Sequence, residues 1–177
     1  MPSGKTHDAI TFFLTAPVST AAYVLTGEIS TAVLIAVTFF FGGLMFGPDL
    51  DTVSRQYSRW GPFKFLWLPY RKFFSHRSRW SHGLIFGTLF RVIYFMGVLT
   101  LASFLGAYIG ATYLGGDLPR LDEAANAWQT AGEWVRSTLG QTAPYIAFAG
   151  FWLGAASHTL TDMAGSYVKT GRIGEFL

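Results

Sequence analysis

Apolar residues in this chain come in long unbroken blocks. Residues 9–27, 29–48, 92–116 and 137–161 contain no Asp, Glu, Lys or Arg, and each approaches or exceeds the ~20 residues that a helix needs to cross a bilayer. The pattern predicts an all-α fold, a helical membrane protein with about four transmembrane helices at residues 9–27, 29–48, 84–114 and 141–163, forming one membrane-embedded domain over residues 1–177. The first block carries Thr11, Thr15, Ser19, Thr20 and Pro17. That composition suits a helix packed inside the bundle, where neighbouring helices supply partners for hydroxyls. A cleaved signal peptide fits less well, because His7 and Asp8 precede the apolar run and only Lys5 adds positive charge.

Two polar segments interrupt the blocks, one at residues 49–83 and one at 115–140. Eight of the thirteen basic residues fall between Asp49 and Arg91. If that side is cytoplasmic, the positive-inside rule places both termini there too, with Lys5, Lys169 and Arg172, and leaves only Arg120 and Arg136 outside. The outer segment contains RLDEAANAWQTAGEWVRSTL, which reads as an amphipathic helix with a structural role. The inner one contains RWGPFKFLWLPYRKFF, rings mixed with bases. That mixture suits the headgroup layer of a membrane, so lipid is the expected partner. Stacking on single-stranded nucleic acid is the weaker reading for a segment beside four spans, and no nucleic-acid partner is expected.

Composition sharpens this picture. The chain is 51% hydrophobic and 18% aromatic with only 13% charged residues, too apolar for an ordinary water-soluble domain. It has no cysteine, which removes disulfides and thiolate metal sites, so any metal must be held by His, Asp or Glu.

Those residue types are not scattered. On the four-span topology His7, His76, His82 and His158 all reach the cytoplasmic helix ends, and so do Asp8, Asp49, Asp51 and Asp162. His158 and Asp162, four apart on a helix, project from one face as a chelating pair. Asp49 and Asp51 follow Pro48 where the chain is expected to turn extended, so both can aim at one site or bridge two ions. A loop bending back before the third span can bring His76 and His82 into the same cavity. Taken singly, an interfacial histidine is an anchor and an aspartate a cap. Together they need shared partners at the edge of the hydrocarbon, and a metal satisfies them. The expected metal ligands are His7, Asp49, Asp51, His76, His82, His158 and Asp162, more than one tetrahedral ion needs. Two or three divalent ions are therefore expected, zinc first and manganese as the alternative. Arg77, with Arg79 second, is placed to grip a phosphate oxygen. Ser81 and Ser157 each precede a histidine, and capping or a bond to a ligand suits them better than nucleophilic attack.

The order THD, PDLD, HRSRWSH, SHTLTD resembles that of the LexA-regulated inner-membrane metal-dependent hydrolases of bacteria. The opening PSGKTHD and the later RWGPF are similar to a smaller cyanobacterial family of metal-binding membrane proteins. More distantly the ligands resemble those of zinc-dependent phospholipase C and P1 nuclease. The resemblance implies a bacterial inner or thylakoid membrane, metal binding at the seven positions above, and hydrolysis. Thr52 stands where the hydrolases carry a histidine, and Gly83 where they carry a serine. The leading expectation is a phosphoester hydrolase, acting on a phosphorylated or lipid substrate by metal-activated water, with Asp49, Asp51 and Arg77 as catalytic residues. The alternative is a non-catalytic metal-binding membrane protein that stores, senses or scaffolds. A transporter ranks last, since the blocks hold hydroxyls but no charges near their centres.

Overall fold

A computed structural model describes residues 3–74, 78–84 and 86–171. The chain forms helices α1 (Gly4–Thr26), α2 (Ile29–Met45), α3 (Arg55–Arg59), α4 (Leu68–Phe73), α5 (Arg79–His82), α6 (Phe86–Leu114), α7 (Leu121–Leu139) and α8 (Ala143–Thr170), with 3₁₀ turns at Pro48–Asp51 and Gly61–Trp67. No strand occurs among the described residues. α1, α6 and the run from Ile29 through Asp51 are long and apolar enough to cross a membrane. α8 is also long, at 28 residues, but is not among these three. Its second half carries Ser157, His158, Thr159, Thr161 and Asp162, which dilute its apolar character.

The chain divides into two compact units, one of residues up to Arg91 together with those from Tyr145 onward, the other Val92–Pro144. In the first unit Ser3 caps α1, its Oγ accepting from Thr6 N–H at 3.3 Å. Gly27, with φ +72°, ends the helix in the left-handed conformation that glycine adopts without strain. α2 then folds back, and Ser19 Oγ donates to the Ala32 carbonyl at 3.0 Å. Ser19 thus finds the neighbouring helix that the sequence suggested for the first block, but other hydroxyls turn to their own helix. Thr15 and Thr38 donate to Thr11 and Leu34, one turn back in their own helices, at 2.8 and 2.7 Å, a solution that needs no outside partner.

α2 and α8 approach through glycines. A Cβ on Gly42 would stand 2.5 Å from the Phe151 carbonyl, and one on Gly154 would overlap the carbonyl of Phe39. Gly150 packs as closely on Thr38, and Gly43 on Thr11 of α1. Small residues four apart let backbones meet and give apolar helices their specificity. Gly150, Gly154, His158 and Asp162 are successive members of one such row on α8, so the close-packed face leads directly into the polar one.

The basic, aromatic segment is not all surface. Trp67 and Tyr70 are fully buried, with Trp67 against Phe46 and Trp60 at ring distances of 5.3 and 5.2 Å. Trp60 donates its indole N–H to the Met45 carbonyl at 3.0 Å. Arg59 donates to the Leu44 carbonyl at 2.8 Å and to Asp8 at 2.5 Å, so it closes the C-terminus of α2 and ties it to α1. Phe63, Phe65 and Phe73 do face outward. The prolines and 3₁₀ turns fold the segment into a layer that meets the C-terminus of α2 through Arg59 and Trp60 and α1 through the Arg59–Asp8 pair.

In the second unit α7 begins with Glu123 accepting from the Arg120 N–H at 3.0 Å. Trp128 donates to Thr100 of α6 at 2.7 Å. The helix read from the sequence is there.

Candidate metal centre

Four short stretches of the first unit come together, around His7, Asp49, His82 and His158. Asp162, on α8, is wholly buried. Neither of its oxygens has a hydrogen-bond partner among the described residues; they face His7 Nε2 at 3.2 Å and His158 Nε2 at 3.7 Å. The last distance realises the predicted four-apart pair on one helix face. His7 and His158 rings stack, 3.7 Å between centroids and 7° from parallel.

Asp49 and Asp51 sit in a 3₁₀ turn, not in extended chain as expected. Pro48 at its first position presets the turn, and the Asp49 carbonyl accepts from Ser54 Oγ at 2.8 Å and Thr52 Oγ1 at 3.3 Å. The turn carries the two carboxylates to opposite edges of one imidazole. Asp49 Oδ1 lies 3.6 Å from His82 Nε2, and Asp51 Oδ2 lies 3.4 Å from His82 Nδ1. The other oxygen of Asp49 reaches His158 Nε2 at 3.4 Å. Burial alone would push the His82 pKa down, but hydrogen bonds and charge from Asp49 and Asp51 outweigh it and raise the value. Ser81 Oγ also touches His82 Nδ1, at 3.1 Å, whereas Ser157 Oγ donates to its own helix, at Gly154 O.

Two groups can each offer three ligand atoms within 4.8 Å of one another: His7, His158 and Asp162, and Asp49, His82 and Asp162. Asp162 belongs to both. His7, His82, His158 and Asp51 are buried beside it, and the Asp49 side chain is 25% exposed, which makes it the group nearest solvent. Five of the seven expected ligands thus fall in these two groups, and Asp51 stands beside His82. His76 and Arg77 lie outside the described residues, as does the Arg79 side chain.

Three residues had another reading in the sequence or none. Asp8 is engaged by Arg55 and Arg59, at 2.9 and 2.5 Å, and stands apart from the ligand groups. Arg91, counted as a topology charge, is 1% exposed and donates to the Ser81 carbonyl at 2.5 Å and Thr88 Oγ1 at 3.0 Å. Its signal was a lone charge at the start of an apolar helix, which demands internal partners. Burial raises the Tyr70 pKa, outweighing the neighbouring Arg91, whose charge and hydrogen bond lower it. Gln56 is buried and donates to His158 Nδ1 at 3.2 Å and to the Gly43 carbonyl at 2.7 Å. Nothing in its local sequence marks it.

Wholly buried carboxylate oxygens facing imidazole nitrogens form a donor set that a divalent cation completes. Nitrogen and oxygen ligands without thiolate suit a borderline ion. Residues 2–172 match the model of a family described as uncharacterized metal-binding proteins (DUF2227). No curated protein and no solved structure matches the chain. The family match agrees with the resemblance to metal-binding membrane proteins; the resemblances to hydrolases, phospholipase C and P1 nuclease find no match.

Proposed function

We propose that this chain, which belongs to the family of uncharacterized metal-binding proteins (DUF2227), is a multi-pass membrane protein that binds divalent metal through His7, Asp49, Asp51, His82, His158 and Asp162 and holds it without turning over a substrate. The observation that carries this reading is Asp162: a carboxylate with no exposure and, among the described residues, no hydrogen-bond partner, facing the imidazoles of His7 and His158. Leaving such a charge without a counter-ion in a dry interior costs several kcal/mol in proteins, and a cation removes the cost. Because Asp162 belongs to both ligand groups, we assign it, in place of Asp49 or Asp51, as the carboxylate shared by two ions. Zinc or manganese suits the donors.

The membrane assignment rests on the three long apolar helices. α8 serves as a fourth span whose polar half is turned into the protein. The basic residues Arg55, Arg59, Lys64, Arg71 and Lys72 then mark the cytoplasmic side of a bacterial inner or thylakoid membrane, with both termini on that side. Exposed Phe63, Phe65 and Phe73, alongside Lys64 and Lys72, meet its lipid.

Elemental analysis of the protein purified in mild detergent tests the proposal. One to two ions per chain are expected in the native protein, and nearly none in Asp162→Ala. Less than one ion of any divalent metal per chain, or unchanged content in that variant, overturns it.

One observation favours a second reading, hydrolysis of a phosphoester. Asp49 is a quarter exposed and belongs to one of the two ligand groups, so it could meet a substrate oxygen from solvent. A metal would supply Lewis-acid chemistry there, with Asp49 or Asp51 placed to take a proton. Turnover of phosphomonoesters or phosphodiesters by the metal-loaded protein, abolished in Asp162→Ala, would replace the storage reading.

A further inference from the structure

We propose that Asp51 is a positioning residue for the metal centre: it holds the proton of His82 on Nδ1, leaves Nε2 bare beside Asp49, and does so without coordinating an ion itself. The inference rests on the metal-binding reading above and refines it, giving Asp51 a task different from that of the other residues named there. The side chains of His82 and Asp51 are both wholly buried. The two carboxylates of the Pro48–Asp51 turn address different edges of the ring, Asp51 Oδ2 at 3.4 Å from Nδ1 and Asp49 Oδ1 at 3.6 Å from Nε2. Imidazole nitrogens point away from each other, so a group set at Nδ1 does not reach an ion held at Nε2. Asp49, His82 and Asp162 can together offer three ligand atoms, and Asp51 belongs to neither ligand group.

Donors and acceptors decide where the proton sits. A neutral imidazole carries it on one nitrogen and accepts on the other, whereas an ionised carboxylate only accepts. Asp51 is therefore matched by Nδ1 only when the proton is there. Ser81 Oγ, the other neighbour of Nδ1 at 3.1 Å, agrees with this. Its hydroxyl donates to the Ser78 carbonyl at 3.3 Å, which leaves its oxygen to accept from the ring. Asp49 is an acceptor too, at Nε2, and there a cation can take the proton's place because Asp49 belongs to a ligand group. A carboxylate behind a metal-binding imidazole fixes its tautomer and orientation and makes it a more basic ligand.

Both partners are held from outside the pair. Leu50, between the two aspartates, is wholly buried, and the Ser54 and Thr52 hydroxyls bond to the Asp49 carbonyl, so the turn presents Asp51 in one direction. The His82 N–H donates to the Ser78 carbonyl at 2.8 Å, and Arg91 donates to the Ser81 carbonyl at 2.5 Å. A Cβ on Gly87 would stand 2.7 Å from that same Ser81 oxygen, so the first turn of α6 closes on it. What the backbone leaves open is rotation of the ring about its own bond, which is broad in histidine. Asp51, reaching in from another element, selects one orientation.

The experiment uses the full chain in detergent with ¹⁵N-labelled histidine, the His82 signals being identified from His82→Gln. Loaded with ¹¹³Cd²⁺, the native protein is expected to show direct cadmium–nitrogen coupling at His82 Nε2 and a proton on Nδ1. Zn²⁺ affinity, read by competition with a chelating dye, is expected to fall about 10–100-fold in Asp51→Asn, the range for loss of an outer-shell partner, with the number of ions per chain unchanged. Asp49→Ala removes a ligand and is expected to lose more affinity than that or to release an ion. Ser81→Ala should stay within a few-fold of native, because Asp51 still holds the proton. Melting of the metal-free forms checks that each variant folds. Cadmium coupling at His82 Nδ1, native affinity in folded Asp51→Asn, or an ion lost from that variant overturns the proposal while the native protein still binds metal. If Asp51→Asn does not fold, the native spectrum decides alone. A native protein that takes up neither Cd²⁺ nor Zn²⁺ refutes the metal centre itself, and this role with it.

Discussion

The imidazole rings of His7 and His158 lie flat on one another, 3.7 Å apart at their centroids, though they come from opposite ends of the chain. Two imidazolium ions would repel in that arrangement. Two neutral rings whose Nε2 atoms converge on Asp162, at 3.2 and 3.7 Å, would share one cation without conflict. His7→Ala and His158→Ala are therefore expected to fail in the same way. Each should lower metal affinity by more than the ~10–100-fold of an outer-shell loss. The double variant should lose little beyond the first, because residues acting on one partner are not additive. Calorimetric titration of the three variants checks this. Additive losses would mean the two histidines serve different ions.

His82 gives the centre its pH dependence. Asp49 and Asp51 raise its pKa above the ordinary 6.5 despite burial. A raised histidine stabilises the metal-free fold fully below the unfolded value and progressively less as pH rises through the higher folded value. Stripped of metal, the protein should melt at falling temperature as pH is raised through that window, and His82→Gln should flatten the curve. Metal binds only the deprotonated ring, so apparent affinity should rise over the same window, with protons released on binding. Melting curves with a chelator and titrations in buffers of different ionisation enthalpy measure the two effects.

How much of this was legible beforehand depended on whether a feature is local. Bilayer thickness sets a length that three of the four apolar blocks meet as helices on composition alone. The pairing of His158 with Asp162 follows from helical spacing, and polar residues at the ends of apolar blocks pointed to His7, Asp49, Asp51 and His82. The coiling of Pro48–Asp51 was misread because it is stabilised by Thr52 and Ser54 hydroxyls returning to Asp49. Trp67 and Arg91 have the same local sequence whether they face lipid or core. Only their contacts with Phe46 and with Ser81 and Thr88 decide. Gln56 depends wholly on tertiary contact and carries no local sign.

Aromatic residues of that segment should therefore divide sharply on mutation. Trp67 has no exposure, and Phe73 is 82% exposed. Trp67→Ala should cost the ~3–5 kcal/mol typical of emptying a large core site and take metal with it, since the Phe46–Trp67 contact supports the turn that presents Asp49. Phe73→Ala should leave detergent stability within ~0.5 kcal/mol, as surface substitutions do, but weaken association with anionic vesicles. Equal effects in both assays would mean the layer is not built as described.

Gly154 couples packing to chemistry most directly. It lies where α8 meets the Phe39 carbonyl, with Gly43 N–H 2.7 Å from the position of an added Cβ, and neither obstacle is a flexible side chain that can move aside. Gly154→Val must push α8 away from α2, at a cost of at least the ~1–3 kcal/mol of ordinary overpacking. His158 is one turn further along, so the displacement opens its contacts with Gln56 and Asp49. The expected outcome is a lower melting temperature and a loss of bound metal even at temperatures where the variant is folded. Gly97→Val, at a glycine of α6 with nothing within 4 Å of an added Cβ, should leave metal content unchanged. Retention of full metal content by folded Gly154→Val would show that the ligands are positioned independently of the α2–α8 contact.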